Sequence, residues 1–229
     1  MKKEVSSWGI GLRFTLEEPM TELKDESFWG KSADTYMNDT TYVAGEAVLQ
    51  TVTDRLSAER GLGEVVEFGC GTGHFTQIVA PNAEQVVATD LSDEMLAVAR
   101  EQLKKLPNVA IQKADVEGTT FPSERFDTAF MVNVIHVVEN PCAALRESYR
   151  VLKNGGRLLI VSYTGYGMTP WARMALGIRY LRKFGFPKHG RNYSPAGLAA
   201  LVENAGFEVE RVQLVGDKTK AVYLTGVKR

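Results

Sequence analysis

Cysteine and histidine are scarce in this chain, whose 229 residues include two cysteines and three histidines. Two cysteines are too few for the disulfide framework of a small secreted protein, and Cys70 and Cys142 are too isolated to belong to a zinc ligand set. No apolar run approaches the roughly 20 residues of a membrane-spanning helix, and the first residues do not resemble a signal peptide. We therefore expect a cytoplasmic protein with no metal site and no obligate membrane attachment.

Acidic residues are absent from 148–202, although Lys and Arg (27) nearly balance Asp and Glu (28) over the whole chain. A basic interval usually forms a solvated face, but one of this length without acidic partners could also contact an anionic group on a substrate, a lipid surface or nucleic acid. Nucleic acid is less favoured because the net charge of the chain is −1. The basic residues of the interval are Arg150, Lys153, Arg157, Arg173, Arg179, Arg182, Lys183, Lys188 and Arg191.

Short apolar runs alternate with longer amphipathic runs from residue 63 onward. This alternation is typical of βαβ units and predicts a mostly parallel sheet. Helical spacing of apolar residues predicts helices at 92–105 and 141–152, and Ser194 and Pro195 begin another by the usual N-terminal preferences. The predicted strands of this part of the chain are 65–68, 85–89, 109–112, 127–132 and 157–161.

The end of the chain follows a different pattern. Residues 207–215 and 221–227 both have the composition of strands, and only residues 216–220 separate them. A link of this length is too short for the crossover connection that joins parallel strands. The last strand must therefore be antiparallel to its neighbour. We predict an α/β fold with a doubly wound, Rossmann-like sheet of seven strands, mostly parallel, with an antiparallel last strand.

The chain length fits a single domain at residues 1–229. We divide it into a helical N-terminal cap at 1–62, with a helix at 41–57, and a core at 63–229. A helical insertion at 164–193 follows the fifth strand and contains a basic helix at 171–184. We expect this insertion to form a lid whose apolar inner face consists of Met168, Trp171, Met174, Tyr180, Phe184 and Phe186.

A glycine-rich turn follows the first strand, with the sequence Glu-Phe-Gly-Cys-Gly-Thr-Gly at 67–73. Open α/β sheets bind ligands at such a crevice, and the following helix N-terminus favours an anionic group. Asp90 ends the second strand, where a carboxylate can accept both ribose hydroxyls of a dinucleotide or an adenosine. Asp115 follows the third strand, where a carboxylate can accept a hydrogen bond from an adenine amino group, which favours adenosine.

These motifs resemble the class I S-adenosylmethionine-dependent methyltransferases, especially the small-molecule branch with ubiquinone-biosynthesis-like enzymes. The similarity covers residues 28–229 and includes an aromatic segment with Phe28, Trp29, Ala33 and Tyr36. Where the family often has two adjacent histidines after the fourth strand, this chain has His136 followed by valine. The core segments that carry the resemblance are 65–73, 87–92, 114–116, 126–127 and 150–157.

The resemblance implies S-adenosylmethionine as the cofactor, S-adenosylhomocysteine as its product, and no metal. Gly69 and Gly71 would pack against the methionine part, and Glu67 would support the surroundings of its amino group. Asp90 would hold the ribose. The remaining residues implied to contact the cofactor are Tyr36, Leu91, Met95, Asp115, Val116 and Met131.

Catalytic residues have no motif of their own in this sequence. In-line methyl transfer from a sulfonium can proceed by alignment alone, although an amine or hydroxyl acceptor benefits from a base. The available candidates for a base are His136, His189 and Tyr193. The Asn-Pro-Pro-Tyr type of signature for amino groups of nucleic acid and protein is missing after the fourth strand. We therefore expect a small-molecule acceptor, apolar with an anionic group that meets the arginines of the lid.

Three other functions remain open at this stage. An RNA- or protein-modifying methyltransferase could use the basic interval as its binding surface. A nicotinamide-dependent oxidoreductase could use a similar sheet, although Asp115 and the antiparallel end of the chain speak against it. A protein that binds the cofactor without turnover would carry the same motifs, and the oligomeric state is open.

Overall fold

The computed structural model describes residues 33–185 and 189–229. Phe28, Trp29 and Phe186 therefore lie outside the described residues. Seven strands form one sheet. They are β1 (Glu64–Phe68), β2 (Gln85–Asp90), β3 (Val109–Lys113), β4 (Phe126–Val132), β5 (Leu152–Thr164), β6 (Phe207–Val215) and β7 (Lys220–Lys228).

Helices connect most of these strands, and within the described residues two helices precede the first strand. Each predicted N-cap serine accepts a hydrogen bond from the first turn of its helix: Ser92 from the amide of Met95 and Ser194 from that of Gly197. The helices of the described ranges are α1 (Tyr36–Ala44), α2 (Glu46–Ala58), α3 (His74–Val79), α4 (Asp93–Leu103), α5 (Pro141–Val151), α6 (Pro170–Phe184) and α7 (Pro195–Asn204).

The sheet order is β3-β2-β1-β4-β5-β7-β6. Strands β1 to β5 pair in parallel, whereas β7 pairs antiparallel with both β5 and β6. The order reverses at β1, so the carboxyl ends of β1 and β4 border the crevice in which open sheets bind ligands. The predicted mostly parallel sheet with an antiparallel last strand is confirmed.

Apolar clusters cover both faces of the sheet, which gives three layers. One cluster joins α2 and α4 to the sheet through residues such as Val52, Leu56, Leu96 and Tyr223. The other joins α5 and α7 through residues such as Phe126, Leu145 and Val202. Each strand side chain alternates between these clusters, which anchors the carboxyl ends of β1, β2 and β4 in a rigid frame.

The predicted bounds of two elements were wrong. The single helix expected at 41–57 is broken at Gly45, whose φ of +92° is incompatible with a continuous helix. The fifth strand begins earlier than the predicted 157, because Leu152 already pairs with Phe126 and the strand continues through Gly155 after an irregular register. Neither change alters the order of the sheet.

Helix α6 of the insertion lies at the surface and contains no buried residue. Its inner side contacts the cap, because the ring of Phe184 lies 6.0 Å from that of Tyr36 on α1. The ring of Tyr180, which also belongs to α6, lies 5.3 Å from that of Phe184. Trp171 and Met174, which were expected on the inner face of the lid, are exposed instead, and that part of the prediction was wrong. Apolar residues occur on both sides of this helix, so the sequence pattern does not indicate which side faces the core.

Candidate functional site

The glycine-rich turn between β1 and α3 requires glycine at several positions. Gly69, Gly71 and Gly73 all have positive φ, at +69°, +54° and +87°. A β-carbon at Gly69 would lie 2.3 Å from Cγ2 of Val134, so the backbone of the turn packs directly against the loop after β4. The turn is therefore held close to the carboxyl end of β4.

Asp90 joins the end of β2 to this turn. Its Oδ2 accepts a hydrogen bond from the amide of Gly71 at 2.8 Å, and its Oδ1 accepts one from the amide of Ser92 at 2.9 Å. Burial raises the pKa of Asp90, and the backbone donors act in the opposite direction. The carboxylate is thus fixed in one orientation at the crevice, with further acceptor capacity on both oxygens.

Glu67 lies beneath the turn with 1% of its surface exposed. The hydroxyl of Thr76 donates a hydrogen bond to Oε2 of Glu67 at 2.5 Å. Burial, together with the nearby charge of Asp90, raises the pKa of Glu67 to about 8, although the bond from Thr76 opposes this shift. Two carboxyl groups therefore share a poorly solvated region, which favours a positively charged ligand beside them.

The ring of Tyr36, at the start of α1, lies over the same turn. A β-carbon at Gly71 would be 3.6 Å from Cε1 of Tyr36, so glycine leaves room for close approach. Burial, followed by the charge of Asp90, raises the pKa of Tyr36 to about 12. Tyr36 of the N-terminal cap is therefore a neighbour of Gly71 and Asp90 in the fold, although it lies far from both in the sequence.

The other residues expected beside the adenosine occupy less uniform environments. Met95 and Val116 are buried, and Leu91 is half-buried. The Asp115 side chain is exposed, and its Oδ1 accepts a hydrogen bond from the amide of Glu117 at 2.9 Å. The preceding amide, that of Ala114, donates to the carbonyl of Asp90 at 3.1 Å and so keeps this loop beside the end of β2.

Met131 is fully buried in the apolar cluster on the α5 and α7 side of the sheet. That placement supports the end of β4 through packing. Two other polar atoms near the turn are buried and have no hydrogen-bond partner among the described residues: Oγ1 of Thr72 and Nε2 of His74. Buried polar groups of proteins are usually satisfied, so these two atoms suit a bound polar group.

The three candidates for a base lie on two segments, the loop after β4 and the segment after α6. His136 follows β4, and its Nδ1 lies 3.3 Å from Oγ of Ser162 on β5. Burial lowers the pKa of His136 to about 4, so its imidazole is neutral at pH 7. His189 and Tyr193 lie on the segment after α6. The hydroxyl of Thr164 donates to the carbonyl of Tyr193 at 2.6 Å, which ties that segment to the end of β5.

Arg191 connects these two loops, a role that the sequence did not reveal. Its amide donates to the carbonyl of His136 at 2.9 Å. Its guanidinium donates to the carbonyls of Val138, Glu139 and His189 at 2.5, 2.8 and 3.2 Å. One basic residue of the acid-free interval therefore has a structural role, and it brings His136 and His189 onto one tied pair of loops.

Asn133 and Tyr163 were also missed. Asn133 directly follows β4 with a φ of +61°, and its Oδ1 accepts a hydrogen bond from the amide of Tyr163 at 3.0 Å. The Oη atom of Tyr163 is buried, with no geometric hydrogen-bond partner in the described part of the chain. Burial and the neighbouring phenol of Tyr36 raise the pKa of Tyr163, and the same two causes raise that of Tyr180 to about 12. The available sequence signal was an asparagine directly after a predicted strand, because asparagine is a residue type that adopts positive φ more readily than most.

The lid adds two more buried nitrogen atoms without a partner among the described residues, Nε of Arg179 and Nε2 of His189.

No group of three or more His, Cys, Asp or Glu side chains within the described ranges could hold a metal ion. Over the same ranges, every helix is too short or too polar to span a bilayer.

Comparison with known sequences agrees with this geometry. A model of the methyltransferase domain matches residues 66–160. The ubiquinone/menaquinone biosynthesis C-methyltransferase UbiE of Pasteurella multocida is 33% identical over 145 residues, which cover 60% of this chain and 54% of that protein. The uncharacterized methyltransferase YcgJ of Bacillus subtilis is 30% identical over 144 residues, which cover 62% and 56%. The chain thus spans about half the length of the curated relatives it matches.

A solved structure extends the similarity to most of the fold. An S-adenosylmethionine-dependent methyltransferase of Thermotoga maritima superposes with a TM-score of 0.68 at 24% identity, covering 90% of this chain and 100% of that one. At this identity the match shows the fold. Residues 66–160 therefore match the methyltransferase domain, and the chain shares its fold with S-adenosylmethionine-dependent methyltransferases of known structure.

Proposed function

We propose that this protein binds S-adenosylmethionine along the glycine-rich turn and transfers its methyl group to a small molecule held under α6. The observation that carries the proposal is the hydrogen bond between Oδ2 of Asp90 and the amide of Gly71. This bond fixes a carboxylate at the end of β2 against a turn that only glycines can form. The whole chain would act as one domain, with the N-terminal cap and the lid closing over the core.

The residues present suit this cofactor. Oγ1 of Thr72 and Nε2 of His74 are buried hydrogen-bonding atoms without partners in the described ranges, at the start of α3 where an anionic carboxylate is favoured. Asp90 would accept the ribose hydroxyls, and Glu67 would offset positive charge on the methionine part. Tyr36, Leu91, Met95, Asp115, Val116 and Met131 would complete the site, with Asp115 at its open, adenine end.

Alignment is the main catalytic contribution that we assign to the protein. S-adenosylmethionine, when bound, supplies a methyl group on a sulfonium that is already a good leaving group. The tied loops at Asn133 and His136 would hold the acceptor in line, and such alignment can lower a barrier by about 7–11 kcal/mol. The pKa of His136 is about 4 and that of Tyr180 about 12, so neither is poised as a general base at pH 7.

The acceptor would lie between the ends of β4 and β5 and the inner side of α6. Oη of Tyr163, Nε of Arg179 and Nε2 of His189 offer buried hydrogen-bonding atoms that the described residues do not satisfy. The rings of Tyr36, Tyr180 and Phe184 add an aromatic wall. This combination fits a compact acceptor with an apolar body and at least one polar or anionic group.

Calorimetry tests the cofactor, with S-adenosylmethionine, S-adenosylhomocysteine and NADH titrated separately into the full chain. We expect the first two to bind at about micromolar concentration and NADH to give no heat. Absence of heat with both sulfur nucleosides would overturn the proposal, and binding of NADH alone would favour an oxidoreductase.

Methyl-labelled cofactor then tests the acceptor class. The protein is incubated with labelled cofactor and a cell extract, which is separated into small molecules, RNA and protein, with the heat-inactivated chain as the control. We expect label among the small molecules, where its mass identifies the product. Label in RNA or protein would contradict the small-molecule assignment, and cofactor binding without any transfer would indicate a binding protein.

A further inference from the structure

Four large apolar side chains form one exposed stripe along α6, which we call the outer stripe. Residues three and four apart in a helix lie on the same side, and the members of the stripe have these spacings. The inner side of the same helix is occupied by Tyr180 and Phe184, so the stripe faces away from the site. Its members, with their exposed fractions, are Trp171 (76%), Met174 (52%), Ile178 (44%) and Leu181 (40%).

Positive charge accompanies the outer stripe. Arg182 is exposed next to the stripe, whereas Arg173 is on the side of Tyr180, and the sequence of α6 contains no acidic residue. Lys183 is already paired with Asp39 of α1 at 2.7 Å, so it anchors the inner side of the helix. The outer surface of α6 is therefore both apolar and cationic.

We propose that the outer stripe of α6 binds the surface of an anionic lipid bilayer. Helices that lie in a membrane interface combine an apolar face rich in tryptophan and leucine with arginine or lysine beside it. Trp171, Ile178 and Leu181 would enter the boundary between head groups and acyl chains, to a depth of about 5–10 Å. Arg182 would meet the negative head groups, whose charge is complementary to its own.

Other occupants fit the surface less well. A second copy of the chain would place two α6 helices together that contain arginines and no acids, so like charges would face each other across the contact. Nucleic acid would meet an apolar stripe at the centre of its contact, whereas such surfaces are highly polar and basic. Only a lipid interface offers an apolar layer directly beneath a negatively charged one.

Lipid binding is independent of the proposed methyl transfer, since it requires neither cofactor nor acceptor. The test is co-sedimentation of the full chain with vesicles of phosphatidylcholine alone and of phosphatidylcholine with phosphatidylglycerol. We expect partitioning to the anionic vesicles to be at least about tenfold stronger, and to weaken as salt is added. The chain contains three tryptophans, so a variant is needed to assign any change in their fluorescence. A blue shift of tryptophan emission on vesicle binding that is lost in Trp171→Phe would place Trp171 in the interface.

Paired variants separate the two components of binding. Trp171→Ser/Ile178→Ser and Arg182→Glu should each lower partitioning about tenfold or more, with circular dichroism showing that both remain folded. The matched control is Arg100→Glu/Lys105→Glu, which reverses two exposed charges on and after α4 and should change partitioning less than twofold.

Several outcomes would overturn the inference. These are equal partitioning to both vesicles, no partitioning at all, or unchanged partitioning of the Trp171→Ser/Ile178→Ser variant. A concentration-dependent dimer in analytical ultracentrifugation that the same variant dissociates, without vesicle binding, would assign the stripe to a second copy of the chain.

Discussion

Thr76 and Glu67 form a buried pair in which the threonine hydroxyl donates to Oε2 of the carboxyl group at 2.5 Å. Glu67 is nevertheless protonated at pH 7, because burial and the nearby Asp90 raise its pKa to about 8. Its folded pKa thus exceeds the ordinary value of 4.5, so the stability it contributes is present below pH 4.5 and is lost as pH rises through 8. The glycine-rich turn therefore lies on a group that titrates close to physiological pH.

The first prediction is that cofactor binding releases a proton from Glu67. The positive groups of S-adenosylmethionine would favour the carboxylate and lower its pKa, so binding at pH 7 should release up to about 0.9 proton. Calorimetry in buffers of different ionisation enthalpy measures this number, and affinity should rise between pH 6 and 8. Glu67→Gln should abolish the release while Glu84→Gln, at an exposed position, should not; equal release in both variants would contradict the assignment.

The second prediction concerns Asp90. Asp90→Asn removes the charge and leaves only one oxygen for the two amides of Gly71 and Ser92. Hydrogen bonds to charged groups contribute about 1.5–3 kcal/mol, so the affinity for S-adenosylmethionine should fall roughly ten- to a hundredfold. Asp93→Asn is the matched control, because Asp93 pairs with Lys113 at the surface. A loss of less than about threefold in Asp90→Asn would argue against ribose binding at this carboxylate.

Local pattern and chain length predicted much of the architecture. The antiparallel β7 followed from the short link at 216–220, because a parallel crossover needs more chain. The glycine-rich turn and Asp90 were predicted to share a crevice, and the fold joins them by a hydrogen bond. These features depend on strand order and on residues at strand ends, which periodicity can identify.

Contacts between distant loops could not be predicted in the same way. Arg191 reaches the carbonyls of His136, Val138 and Glu139, which lie far upstream in the sequence, and no local pattern distinguishes it from the other basic residues of its interval. The exposure of Trp171 was missed because apolar residues occur on both sides of α6. Tertiary packing decides such questions, and one sequence does not record it.

The third prediction concerns the contact between the glycine-rich turn and the loop after β4. Gly69→Ala would incur about 1–2 kcal/mol for its positive φ and about 1–3 kcal/mol more because its β-carbon would meet Val134. Gly61→Ala is the matched control, with a φ of +61° and nothing within 4 Å of the added carbon, so it should lose only the first part. Urea unfolding measures both changes.

A double mutant sharpens that comparison. Val134→Ala removes the methyl carbon that the new side chain would contact, so Gly69→Ala/Val134→Ala should be less destabilised than the sum of the two single changes. Equal losses in Gly69→Ala and Gly61→Ala, or strict additivity in the double mutant, would show that the close approach to Val134 is not what restricts this position.

The fourth prediction concerns Asn133, whose side chain accepts a hydrogen bond from the amide of Tyr163 while its own backbone has positive φ. Asn133→Gly keeps the backbone conformation but loses the acceptor, which should reduce stability by about 0.5–1.5 kcal/mol. Asn133→Ala should lose a further 1–2 kcal/mol or so because of its β-carbon. Glu124→Gly is the control, since Glu124 also has positive φ (+56°) and glycine should relieve it there.

Function should respond separately from stability at Asn133. Without the Asn133 side chain, the amide of Tyr163 loses its hydrogen bond and the end of β5 is freed. Oη of Tyr163 would then no longer be held towards the methyl-accepting substrate. The hydrogen bonds of Asp90 and Glu67 on the cofactor side are unchanged. Asn133→Gly should therefore raise KM for the identified acceptor several-fold and leave the Kd of S-adenosylmethionine within about twofold. Asn133→Asp, which retains an accepting oxygen, should recover most of this loss. A parallel loss of cofactor affinity would instead make Asn133 a support for the whole crevice, because the two halves of the site would then be coupled through the loop after β4.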